Sequence, residues 1–251
     1  MGVSSRPKFL ARDTRESNLF FVESLELWRK KMGLEKMNLV GHSLGGYIST
    51  KYAAKYPQYV EKILLLSPMG VEECKNEAGE SYIHPDINNH FVKRNMFKLA
   101  RCMIKNNRSP FDLMRFIGRF TAPFFIQDSV KRKFKSVPEE DFDKLYSYLY
   151  QVTMAQGSGE YAMGRLVETS LSAFDPIFYD LQAMKDKDLP IMIAYGDGDY
   201  VNTSFNDDPI SETLSKEGFD VHIVPDSSHQ VYLDNPDFCV ELIQKAIGNK
   251  S

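Results

Sequence analysis

Residues 38–49 read NLVGHSLGGYIS, and the fold turns on how that stretch is parsed. Asn38 to Val40 is β-like, Gly41-His42-Ser43-Leu44-Gly45 is a G-x-S-x-G turn, and small residues beginning with Gly46 suit a helix start. Such a pattern makes a sharp strand-to-helix turn: the glycines leave room for strained backbone, and the serine hydroxyl projects beside a helix N-terminus that favours developing negative charge. Ser43 is therefore a candidate nucleophile; the competing reading is a hydroxyl in a tight turn. Glycine and serine are common, so the pattern alone is weak, and its context carries the weight.

Outward from the turn, residues 17–32 predict a helix with Phe21, Leu25, Trp28 and Met32 on one face, stopped by Gly33. The helix after Ser43 should end before Pro57. VEKILLLSP at 60–68 is a near-continuous apolar strand of the parallel-sheet kind, and LPIMIAYGDGD and FDVHIVPD read as two more. NPDFCVELIQKAIGN closes the pattern as an amphipathic helix. This alternation predicts an α/β class with a mostly parallel sheet. Residues 69–189 interrupt it with a largely helical, aromatic-rich stretch that carries no further strong strand signal. It is expected to be a helical cap over the carboxyl end of the sheet, where open α/β sheets place their ligands; an inserted subdomain without a substrate role competes. The expected parts are thus 1–68, 69–189 and 190–251.

The chain has 251 residues, enough for one well-buried α/β domain or two small ones. A formal net charge of −3 gives no global bias towards nucleic acid. Cys74, Cys102 and Cys239 are widely spaced and odd in number, which argues against a disulfide scaffold and gives no zinc spacing; no metal or other cofactor is expected. No apolar run reaches the roughly 18 residues of a transmembrane helix. MGVSSRPKFLARDTRES holds no signal-peptide core, and Arg6 stands where myristoylation wants Ser or Thr. A cytoplasmic or peripheral-membrane protein is the expectation.

A nucleophilic hydroxyl needs a base. The histidines are His42, His84, His90, His222 and His229. His42 adjoins Ser43, but its side chain is expected to point elsewhere. His84 and His90 lie in the insertion, and His222 alternates within a strand as a structural residue would. His229, in the loop PDSSHQVYLDNP after the last strand, is placed to reach the top of the sheet. For the orienting acid, IMIAYGDGDYVN offers Asp197 and Asp199. Asp199 lies further past the strand and follows Gly198, whereas Asp197 suits a turn.

With Ser43, Asp199 and His229 in that order, the chain resembles the α/β-hydrolase fold family. It is most similar to a lipid-active group that includes the lysophospholipase acting on N-acyl phosphatidylethanolamine, the yeast cardiolipin deacylase and the lipid-droplet coactivator of triglyceride lipase. The resemblance rests on GVSSRP at 2–7, FVESLELWRKKMGLEKMNLVGHSLGGY at 21–47, KYAAKYPQYVEKILLLSPMG at 51–70, GDGDYVN at 196–202 and SSHQVYLDNP at 227–236. It implies a truncated α/β-hydrolase fold and a serine-dependent acyl hydrolase or acyltransferase on phospholipid or lysophospholipid esters. The backbone N–H of Leu44 would be one oxyanion-hole donor. The coactivator has asparagine at the position of Ser43; some members carry the acid at the position of Asn202, which cannot serve as a carboxylate here. The group's H-x4-D pattern, linked to acyl transfer onto lysophosphatidic acid, is present as His229 to Asp234; Asp234 either orients the loop or imidazole, or caps the following helix. The resemblance also places the start of this chain after the fourth of eight strands, so that the earlier strands and the loop giving the second oxyanion donor are expected to be missing. A fragment or incomplete gene model is preferred to a truncated pseudoenzyme or a chain completed by another. Alternative functions are a non-catalytic lipid-binding or lipase-coactivator protein and a small-molecule carboxylesterase.

Residues 91–135 hold twelve basic residues against Asp112 and Asp128, a local excess that the net charge conceals. Arg94, Lys98, Arg101 and Lys105 recur at helical spacing, roughly opposite Val92, Met96, Leu99 and Met103. That is the pattern of a basic amphipathic helix suited to an anionic lipid surface; a solvated cap face competes. Nucleic acid is disfavoured, because bulky apolar residues abut the patch and no nucleic-acid motif accompanies it. The expected partners are a lipid or lysophospholipid substrate and an anionic membrane or lipid-droplet surface, with a mitochondrial location as an open alternative.

Overall fold

The Asp13 carboxylate accepts from the Glu16 backbone N–H at 2.7 Å in the computed structural model, so α1 spans Thr14–Lys31, one turn earlier than the apolar pattern predicts. Its end is a Schellman motif: Gly33, at φ 67°, donates to Lys30 O, and Leu34 N–H donates to Arg29 O. The structure describes residues 5–72, 95, 98, 102–103, 109–134, 137–168, 172–202, 204–205 and 208–248. They fall into two compact units, Met1–Arg12 with Ala78–Ser170, and Asp13–Glu77 with Leu171–Ser251.

The buried face of α1 corrects the sequence reading. Trp28 is 50% and Met32 59% exposed, while Glu26 and Arg29 are buried. A charged pair can occupy a buried face when its hydrogen bonds are met internally. Here Arg29 Nη2 lies 2.8 Å from Glu26 Oε1, Tyr52 Oη donates to Glu26 Oε2 at 2.8 Å, and Arg29 also donates to the Leu34 carbonyl while stacking 3.7 Å above the Tyr59 ring.

In this same unit follow β1 (Met37–His42), α2 (Leu44–Lys55), a single 3-10 turn and β2 (Val60–Leu66). In the first unit come α3 (Pro110–Lys133), α4 (Glu139–Met154) and α5 (Met163–Leu166). The second unit then resumes with α6 (Phe178–Lys185), β3 (Ile191–Gly196), β4 (Ser204–Phe205), β5 (Asp208–Pro209), α7 (Ile210–Lys216), β6 (Asp220–Val224), α8 (Val231–Asp234) and α9 (Pro236–Ile247). The two-residue pair β4–β5 and the helix α7 are absent from the expectations above.

Four strands form one parallel sheet in the order β1-β2-β3-β6. Register runs His42↔Leu66, Leu66↔Ala194 and Ala194↔His222, so the strands' carboxyl ends come level. The apolar runs in β2 and β3 are explained by burial on both faces. On one side Leu64, Leu66, Met192, Ala194 and Val224 pack with Cys239 and Leu242 of α9. Tyr47 and Tyr52 of α2 are fully buried. Lys51 of α2 reaches Asp175 at 2.8 Å and Asp180 of α6 at 2.7 Å.

The other unit is helical in its described residues. A capping box of Ser109 and Asp112 opens α3. Ala122, Ile126 and Val130 form its core with Phe142, Leu145, Leu149 and neighbours on α4. Of the basic stripe, Lys98 is helical and exposed, and Arg94, Arg101 and Lys105 lie outside the described residues, as do Cys74, His84 and His90. No helix among the described residues is long and apolar enough to cross a membrane.

Candidate catalytic site

β1 delivers its last residue, His42, to the sheet's carboxyl end, and Ser43 turns the chain with φ 54° and ψ −119° before α2 begins at Leu44. Such a conformation costs a non-glycine residue about 1–3 kcal/mol and persists when its surroundings over-determine it. Here Ser43 N–H donates to Leu66 O at 3.0 Å, and Ser43 O accepts from Tyr47 N–H at 3.2 Å. A Cβ on Gly41 would lie 2.5 Å from Gly45 O, and one on Gly46 would lie 3.0 Å from Pro68 Cβ, so these two glycines permit the close strand–helix approach. A Cβ on Gly45 meets nothing within 4 Å. The last glycine of the pattern is not required by crowding.

Asp199 follows β3, and its side chain is fully buried. Its Oδ1 lies 3.0 Å from His229 Nδ1 and accepts from Val201 N–H at 2.9 Å. Burial pushes the Asp199 carboxyl up, but His229, the adjacent Ser67 hydroxyl and the Val201 N–H together hold it below the usual carboxylate range. His229 Nε2 in turn lies 2.9 Å from Ser43 Oγ. A hydroxyl, an imidazole and a buried carboxylate thus form one continuous chain, with Nε2 free to take a proton from Oγ when Nδ1–H donates to Asp199.

Each remaining sequence-selected residue has a place. Asp197 accepts from Asp226 N–H at 3.0 Å and Ser227 N–H at 2.9 Å, closing the turn after β6. Asp234 Oδ2 accepts from Ser228 N–H at 2.9 Å and Ser228 Oγ–H at 2.7 Å, so it holds the loop before His229; the cap of α9 is Asn235, which accepts from Phe238 N–H. Asn202 bonds Ser211 through both ends of its amide. Leu44 is the first residue of α2, where helix N–H groups lack intrahelical acceptors. His222 lies 2.9 Å from Asp220 and 3.3 Å from Lys245, away from this cluster. Among the described residues, no group of three His, Cys, Asp or Glu side chains could hold a metal ion.

Two residues enter the site unforeseen. His42 does not point away: its Nε2 is 2.8 Å from His229 O, and the two rings are 4.8 Å apart. Strand alternation predicts opposite faces for successive side chains, and the positive φ at Ser43 breaks that alternation. Burial pushes the His42 imidazole below its ordinary pKa, favouring the neutral form. Ser67, at φ 46° after β2, is buried beside Asp199; neither its Oγ nor Asp199 Oδ2 has a well-formed hydrogen bond. No motif in the sequence marks Ser67.

A family model described as the alpha/beta hydrolase fold matches residues 1–236. The abhydrolase domain-containing protein abhd-5.2 of Caenorhabditis elegans is 30% identical over 96% of this chain and 50% of its own length. A probable 1-acylglycerol-3-phosphate O-acyltransferase of Oryza sativa subsp. japonica is 28% identical over 94% of this chain and 55% of its own. The (lyso)-N-acylphosphatidylethanolamine lipase of Mus musculus is 31% identical over 94% and 65% respectively. The chain therefore spans about half to two thirds of these relatives. Among solved structures, Cfl2 of Burkholderia cenocepacia aligns with a TM-score of 0.62 at 14% identity, over 98% of this chain and 75% of that one. A thermophilic esterase from Thermogutta terrifontis aligns with a TM-score of 0.55 at 18% identity, over the same shares of 98% and 75%. Both are likenesses of fold.

Proposed function

We propose, from the premise that this chain belongs to the α/β-hydrolase fold family, that it is a serine-dependent acyl hydrolase or acyltransferase acting on phospholipid or lysophospholipid esters. The observation that carries this reading is the chain of contacts from Ser43 Oγ to His229 Nε2 at 2.9 Å and from His229 Nδ1 to Asp199 Oδ1 at 3.0 Å. Ser43 Oγ attacks the acyl carbonyl while its proton passes to His229 Nε2. The Asp199 carboxylate stabilises the imidazolium, and the Leu44 N–H faces the oxyanion. Collapse breaks the ester C–O bond, and the proton on His229 leaves with the alcohol. Water or a lysophospholipid hydroxyl then attacks the acyl-enzyme, with His229 as base, and Ser43 is restored.

The substrate class rests on two supports. The rice and mouse relatives are named for acyl chemistry on lysophosphatidate and N-acylphosphatidylethanolamine. Residues 91–135 concentrate basic charge, and we assign Arg94, Lys98, Arg101 and Lys105 to contact with anionic lipid, with the enzyme peripheral to a membrane or lipid-droplet surface.

The test is labelling with a fluorophosphonate probe and, on separate samples not exposed to the probe, incubation with acyl-chain-labelled lysophosphatidate and phosphatidylethanolamine. Labelling of the wild type and none of Ser43→Ala is expected, with label released as free fatty acid or moved to a second lysolipid. Equal labelling of both proteins removes Ser43 as nucleophile. For the surface, sedimentation with phosphatidic acid vesicles should weaken in a quadruple glutamine variant of the four basic residues and in high salt. Binding indifferent to both removes the assignment.

A further inference from the structure

We propose that His42 is a positioning residue: by donating Nε2–H to the His229 carbonyl, it sets the base against the nucleophile. This inference rests on the triad reading above and gives a role to the residue between the first glycine and Ser43.

The acceptor fixes the tautomer. A carbonyl oxygen at 2.8 Å accepts only, so His42 Nε2 carries the proton. The His42 ring is packed as well as bonded, with the His229 ring 4.8 Å away and the edge of Tyr232 at 5.0 Å.

The other ties on this loop come from elsewhere. Asp197 takes the N–H groups of Asp226 and Ser227, Gly198 N–H donates to Ser227 O, and Asp234 holds Ser228. These ties reference the loop to the end of β3 and to α8. The His42 bond acts on His229 itself and comes from the residue covalently joined to Ser43. It closes a small ring: Ser43 to His42 through the backbone, His42 to the His229 main chain, and the His229 imidazole back to Ser43 Oγ at 2.9 Å. Asp199 and Ser43 engage the two nitrogens of the imidazole, but where that ring sits also depends on the main chain that carries it. The bond from His42 to the His229 carbonyl fixes that main chain, and with it the origin from which the imidazole reaches Ser43. Neutrality of His42 matters too, because a second cation at this distance would oppose the imidazolium formed in each half-reaction.

The experiment compares His42→Gln, whose amide nitrogen can reach the position of Nε2, with His42→Leu, which has no donor. His42→Asn, whose amide stops short of the carbonyl, replaces His42→Leu should the latter not fold. Two readouts are taken on each full chain: the rate of fluorophosphonate labelling and backbone amide exchange over residues 227–231. His42→Leu is expected to label about 10²-fold more slowly and to exchange about tenfold faster in the loop, with little change in melting temperature. His42→Gln is expected to recover most of both. Wild-type labelling and exchange in His42→Leu overturn the proposal, and so does a folded His42→Gln that behaves like His42→Leu. Failure of the triad reading looks different: Ser43→Ala then labels as the wild type does, while the exchange comparison still decides whether His42 restrains the loop.

Discussion

Asp199 reaches His229 at 3.0 Å, whereas Asp197, two residues earlier on the same turn, spends both its oxygens on the backbone of Asp226 and Ser227. The first contact acts on the imidazole and the second on the loop that carries it. Asp199→Asn is expected to lower acylation of Ser43 about 10⁴-fold with the fold intact, because the imidazole loses its tautomer and its counter-charge. Asp197→Asn is expected to lower the melting temperature and to cost far less activity. Labelling rates and thermal melts of the two variants decide it, and the opposite order would assign the orienting role to Asp197.

Ser67 stands beside the Asp199 carboxylate and helps to hold it below the usual carboxylate range. Deleting its hydroxyl removes one of the groups that hold the buried carboxylate in its charged form. Ser67→Ala is expected to slow labelling about tenfold at unchanged probe affinity. A rate equal to the wild type would show that the hydroxyl does not hold Asp199.

The two glycines of the turn should respond differently. Gly41→Ala places a methyl 2.5 Å from Gly45 O and 2.6 Å from Ser49 Oγ, so the strand and helix must part. Loss of labelling and a clear fall in melting temperature are expected. Gly45→Ala, inside α2 with open space around its Cβ, is expected to hold or raise stability by up to about 1 kcal/mol. Equal damage from both substitutions would mean that the pattern itself, rather than crowding, demands glycine.

Glu26 makes stability depend on acid. The hydrogen bond from Arg29, aided by Tyr52 and Lys30, lowers its pKa from 4.5 to about 2 against the opposing effect of burial. A carboxyl with a depressed folded-state pKa stabilises the fold above its unfolded pKa and loses that contribution as pH falls towards the folded value. The gap in melting temperature between wild type and Glu26→Gln should therefore be full at neutral pH and close between about 4.5 and about 2. A gap constant across that window would mean that Glu26 is not held as a carboxylate.

The elements that depend on local pattern were legible in the chain. Apolar runs marked β2 and β3, Gly33 marked the end of α1, and the flanks of GHSLG marked a strand and a helix. The meeting of Ser43, Asp199 and His229 followed from strand ends, because a parallel sheet levels them on one side. What sequence periodicity missed depends on distant partners. Glu26 and Arg29 displace Trp28 and Met32 from the buried face of α1 because Tyr52 and the Leu34 carbonyl satisfy them. His42 enters the site because the positive φ at Ser43 breaks strand alternation, so that these two successive residues both meet His229. Ser67 is an unremarkable serine until β3 is laid beside β2.

The parallel sheet also fixes when the site can exist. Ser43 and His229 are 186 positions apart, and β6, the strand that carries His229 into place, is the last of the described strands to be synthesised. A nascent chain halted before residue 229 has its serine but no base, and pairing across such a separation is the slow kind of folding step. Reactivity at Ser43 should arise only once the whole second unit has closed, so that covalent labelling during synthesis would serve as a clock for the completion of the fold.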